Sequence, residues 1–182
     1  MEYTIYQIAL YLGGAAALAA AYWIWRLRPE SLAGIESLPR NRQLGFALAL
    51  PALIWCIPHA RPIVFDWMLP LLWPMAVGGA VLAYFYLDYL FSRAVGGMLI
   101  LLAYYYVHSA FEYHTVWLPA ISVLCHLAGI LGIAFSGKPC WMRDLLRVFC
   151  RSGRYRILYS VYFALLGVAL LAGAVLGRGG AQ

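Results

Sequence analysis

With 182 residues, 65% of them hydrophobic and 11% charged, the chain carries far less charge than a soluble domain, where about a quarter of residues are charged. A mean hydropathy of +0.79 makes lipid the natural solvent and excludes a water-exposed globule of this size. The net charge of +6 comes from thirteen basic and seven acidic residues that flank apolar segments, so anionic headgroups rather than nucleic acid are the expected partner.

These bounds predict an all-α fold: one integral-membrane domain over residues 1–182, a polytopic helical bundle of about six spans. The first span is expected over 4–25, ending at Arg26, Arg28 and Pro29. Met-Glu-Tyr lacks a basic n-region and the apolar run is longer than an h-region, so this segment reads as an anchor and not a secretory signal. The polar stretch 27–43 follows, with Ser31–Leu38 able to form a short interfacial helix. The second span, 44–60, holds Pro51 and needs neighbouring residues or a thinned bilayer to cross, with a half-membrane hairpin as the alternative. "IPHARP", 57–62, reads as a turn. The third span is placed at 67–91, with an entry kink at Pro70 and Pro74. "FSR", 91–93, reads as a tight connection to the fourth span at 94–112. The fifth is expected over 116–135, then a basic loop over 136–156, then the last span over 157–176.

Orientation follows from the basic residues. With 27–43, 92–94 and 136–156 on the cytoplasmic side, eleven Arg and Lys residues lie inside and only Arg61 and Arg178 outside, as the positive-inside rule predicts. Both termini are then expected outside, in a bacterial inner membrane. Cys56 and Cys125 read as small buried hydrophobes, and Cys140 and Cys150 as reduced cytoplasmic thiols.

Candidate chemistry concentrates in "LLAYYYVHSAFEYH", 101–114. On a helix, Tyr104, His108 and Glu112 recur every four residues and share a face, a polar seam that would knit helices together and meet water at its outer tip. Ser122 and His126 extend the polar set on the fifth span, and Asp88 lies near the end of the third. Charge in hydrocarbon costs at least ~2.5 kcal/mol, which makes such residues functional candidates by default. Shallow placement weakens that for Glu112, His114 and Asp88, which water or Arg93 can satisfy. His108 and His126 lie deeper. Each can hydrogen-bond a neighbouring tyrosine, serine or carbonyl, or the two can ligate b-type haem across facing helices. A depth mismatch of roughly 8 Å argues against that pair; His59 with His108 is the better match. A transition-metal site from His59, His108, Glu112 and His114 is the other cofactor reading. The leading expectation is that no cofactor is bound.

Nucleophile elbow, P-loop and dinucleotide motifs are absent from the sequence. Gly78-Gly79 and Gly96-Gly97 read as packing points. Ala169, Gly173 and Gly177 form a small-residue stripe for another helix, in this chain or a partner. In the basic loop, Arg143, Arg147, Arg151, Arg154 and Arg156 alternate with apolar residues, the pattern of an amphipathic helix on anionic lipid or a landing site for another subunit.

"LDYLFSRAVGGMLILL", 87–102, and "KPCWMRDLLR", 138–147, resemble an uncharacterised group of small bacterial multi-span membrane proteins. The resemblance implies architecture and no activity. The leading functional expectation is a non-catalytic subunit or scaffold of a larger membrane complex, an energy-transducing one among the candidates, with lipids and other membrane subunits as partners. The rivals are a haem-, metal- or proton-handling protein built on His108, Glu112 and His126, and a small transporter.

Overall fold

The computed structural model describes residues 2–177. The fold is all-α: α1 Glu2–Arg26, α2 Leu32–Ile35, α3 Arg42–Ala60, α4 Leu72–Tyr86, α5 Leu90–Glu112, α6 Leu118–Gly137, α7 Cys140–Arg151 and α8 Gly153–Leu176. Among the described residues, six segments are long and apolar enough to cross a membrane: α1, α3, α4 with its lead-in from Asp66, α5, α6 and α8. The chain is a multi-span membrane protein, as its composition implies.

Several boundaries move. α3 is one continuous helix through Pro51 and Pro58, so the hairpin alternative falls away and the turn begins at Arg61, not Ile57. A proline costs its helix one backbone hydrogen bond, a loss the rest of a long apolar helix absorbs. Asn41 caps α3 by accepting the Leu44 N–H at 3.0 Å. The expected entry kink is a 3₁₀ turn, Asp66–Leu71, with Pro70 inside it. α4 ends at Tyr86 and α5 starts at Leu90, so the connection is 87–89 rather than "FSR". Tyr89 sits there at φ +56°, a left-handed backbone that ends helices but is disfavoured for a bulky side chain. α8 starts at Gly153, which moves Arg154 and Arg156 from the loop into its first turn.

Packing divides the chain into two compact units. The first takes in residues 2–32, 102–128 and 146–177, with α1 and α8 among them. Its core is Tyr6 and Leu10 of α1, Tyr106 and Ala110 of α5, Ile121 and Cys125 of α6, and Leu166, Leu170 and Ala174 of α8. Glycine sets the closest approach: a Cβ on Gly14 would stand 2.6 Å from Leu171 Cγ and 3.1 Å from the Gly167 carbonyl, and one on Gly167 2.9 Å from the Gly14 carbonyl. Two helices joined by small residues at that spacing pack backbone to backbone, the usual solution where lipid offers no hydrophobic drive.

The second unit holds residues 33–101 and 129–145. Ala49, Leu90 and Ala94 form its core, with Phe46 set edge-on to Tyr84 at 5.7 Å. Gly96 and Gly132 repeat the glycine device, a Cβ on either falling within 2.6 Å of the other's carbonyl. Ser92 donates to the Pro139 carbonyl at 3.1 Å and Arg93 Nη1 to the Ser136 carbonyl at 2.9 Å.

Candidate functional site

In the 101–114 segment, the buried face of α5 belongs to Tyr106, Ser109 and Ala110, while Tyr104, His108 and Glu112 are all exposed. The shared face is as predicted, but it points away from the chain rather than into it. The Tyr104 and His108 rings stack at 5.6 Å and 20°. His114 is also exposed, in the turn after α5 with φ +47°.

Buried polar chemistry lies elsewhere in the first unit. Tyr6 and Thr115 share a buried hydroxyl–hydroxyl hydrogen bond at 3.0 Å. Tyr106 Oη donates to the Ala9 carbonyl at 2.8 Å and Tyr162 Oη to the Leu124 carbonyl at 2.7 Å. The rings of Tyr3, Tyr6, Tyr105 and Tyr113 contact one another at 5.1–6.4 Å. This tyrosine cluster binds α1 to its neighbours, and sequence reading missed it: Tyr6 looks like one aromatic among many until Thr115 arrives beside it.

The remaining histidines each bond their own helix through Nδ1. His59 Nδ1 meets the Trp55 carbonyl at 3.0 Å and His126 Nδ1 the Ser122 carbonyl at 2.7 Å, each four residues back on its own helix. A carbonyl only accepts, so Nδ1 is the protonated nitrogen in both. His126 is exposed, eight residues into α6, between the exposed Val123 and Leu127. In a neutral ring its Nε2 is then an acceptor turned outward from an apolar helix face. His108 lies four residues inside the end of α5; the four-residue difference in depth is about 6 Å. Among the described residues no group of three or more His, Cys, Asp or Glu side chains gathers closely enough to hold a metal ion, and His59, His108, Glu112 and His114 are not drawn together as one.

The stripe on α8 finds its partner inside the chain. Ala169 and Gly173 are buried, and a Cβ on Gly173 would meet Thr115 and Ile121 at 3.0 and 3.1 Å. Gly177 ends α8 at φ +69°, a backbone that favours glycine, and its carbonyl accepts the Val116 N–H at 3.4 Å. Of the predicted packing glycines, Gly96 is tightly enclosed, whereas Gly78 and Gly97 have nothing within 4 Å of where a Cβ would stand.

The basic segment 136–156 forms α7, whose buried residues Met142, Leu146, Phe149 and Cys150 recur at helical spacing opposite Asp144 and Arg151. Arg147 is half-buried and Arg154 exposed. Arg156 serves within the chain: its Nη1 donates to the Leu27 carbonyl at 2.6 Å and closes the C-terminal end of α1. Arg143 bonds Asp144 at 3.0 Å, which raises its pKa above the ordinary arginine value and keeps it charged in any physiological medium. Arg143 Nη1 also reaches Tyr89 Oη at 3.3 Å, where Arg40 Nη2 donates at 2.8 Å. Asp88, placed near Arg93 by sequence, instead approaches Arg42 at 3.8 Å, with its side chain 89% exposed. The convergence on Tyr89 had no sequence signal, since its three members are 49 and 54 residues apart.

No family model matches the chain, and neither does any curated protein or solved structure.

Proposed function

We propose that this chain is a non-catalytic subunit or scaffold of a larger assembly in a bacterial inner membrane, with its basic connections cytoplasmic and both termini outside. His126 carries the reading. Its Nε2 lies on an exposed apolar face of a spanning helix, where lipid tails offer no hydrogen bond. A donor from a neighbouring helix satisfies it, and the adjacent Val123 and Leu127 supply apolar contact. An exposed spanning helix with one acceptor at mid-height suits docking better than solvation by lipid.

The chain purified in mild detergent is expected to migrate as part of a particle well above its own 20.3 kDa. His126→Leu, which keeps the apolar face and removes the acceptor, should release it. A clean monomer in the wild type counts against the proposal. The same ring nitrogen could ligate haem or a transition metal, so a Soret band or stoichiometric metal in that sample would put the cofactor reading first.

A further inference from the structure

Arg40 and Arg143 both direct guanidinium N–H groups at the single phenol oxygen of Tyr89, and the Arg40 guanidinium also lies 5.0 Å over the Tyr89 ring. A neutral oxygen is a poor match for two cations, whereas a phosphate offers several anionic acceptors in the forked geometry that arginine favours. Asp144 occupies part of Arg143, and among the described residues Arg40 makes no ion pair. One turn along α5, Arg93 donates its backbone N–H to the Tyr89 carbonyl at 3.2 Å. Its Nε is buried without a hydrogen-bond partner.

Arg93 stands in the wall of an apolar groove of about 360 Å³ between α3, α4 and α5. Small residues make the groove: Ala49 and Ala52 of α3, Ala83 of α4, and Ala94 and Gly97 of α5. Gly97 leaves open space where a side chain would stand. The groove follows α5 from Leu90 to Leu101, a rise of about 16 Å, close to half of a hydrocarbon core about 30 Å thick. Its length is that of one leaflet; Arg93 lines it, and Tyr89, the residue that Arg40 and Arg143 contact, directly precedes Leu90 at its end. We propose that this groove binds one anionic phospholipid, its phosphate held by Arg40 and Arg143 and one acyl chain lying along Gly97. A choline headgroup would bring its ammonium among Arg40, Arg42 and Arg143, so zwitterionic lipid is disfavoured.

Native mass spectrometry of the full chain, titrated with equal phosphatidylglycerol and phosphatidylcholine, reads the bound lipid directly. The wild type is expected to retain one phosphatidylglycerol with a preference of about tenfold, the scale of one charge-assisted hydrogen bond. R40Q/R143Q should erase that preference. G97L places its side chain in open groove and should lower binding of both lipids about tenfold without lowering the thermal midpoint. Glycerol phosphate, the headgroup without a chain, should not displace the lipid at equal concentration. Equal retention of the two lipids by the wild type, a preference that survives R40Q/R143Q, unchanged binding in G97L, or displacement by glycerol phosphate would each overturn the assignment.

Discussion

Single side chains hold the first unit together through contacts that span most of the chain. Arg156 is the clearest: a guanidinium on the Leu27 carbonyl at the C-terminal end of α1 satisfies an orphan acceptor and complements the helix dipole. Arg156→Gln is expected to cost about 1–2 kcal/mol, read as a lowered midpoint in a detergent melt. Glycines give a sharper contrast. Gly14→Leu drives a side chain into Leu171 and the Gly167 carbonyl and should cost about 1–3 kcal/mol or more, while Gly97→Ala, with nothing nearby, should leave the same melt within about 0.5 kcal/mol of wild type. At this scale sequence reading succeeded by halves. Spacing marked Ala169 and Gly173, but the close approach needs Gly14 facing Gly167, and no local pattern pairs positions so far apart. The Tyr6–Thr115 bond was invisible for the same reason.

At the scale of the helix, hydropathy and punctuation worked well where solvent changes abruptly. All six spans were placed, most ends within four residues, because apolar runs stop at arginines and prolines. The misses have local causes. The path between α4 and α5 breaks at Asp88 and Tyr89; Asp88 is a turn former, but the bulky Tyr89 gives no sign of its left-handed backbone, so "FSR" drew the boundary instead. Pro51 and Pro58 suggested an interruption in α3 that does not occur. The amphipathic α7 was legible from its alternation of arginine with leucine and phenylalanine. Its buried edge includes Phe149, whose ring lies 4.9 Å from that of Tyr159. Phe149→Ala should cost about 3 kcal/mol and loosen that edge, speeding tryptic cleavage at Arg147 and Arg151 in the purified protein.

For the whole molecule, the charge asymmetry between connections is the strongest statement the chain makes about itself. A single cysteine at Asp144, on a background with the native cysteines replaced by serine, should react with an impermeant maleimide in inside-out vesicles and remain unlabelled in intact cells. Labelling in cells would reverse the expected orientation. Fold class was readable at this scale because lipid permits few alternatives to helices. Function was not, because exposed Tyr104, His108, Glu112 and His126 take their meaning from whatever lies across the chain's surface.

The pairing of α1 with α8 also bears on how the protein is made. Gln7 Nε2 reaches the Ala174 carbonyl at 3.5 Å across 167 residues of chain. At ribosomal speeds of about 5–20 residues per second, α1 enters the bilayer on the order of ten seconds before its mate exists. Throughout that interval its notch at Gly14 faces lipid, open to an insertase or to a stray helix from another nascent chain. Biogenesis is therefore the stage at which this protein is most exposed to wrong partners, and α8 is the latch that ends the risk.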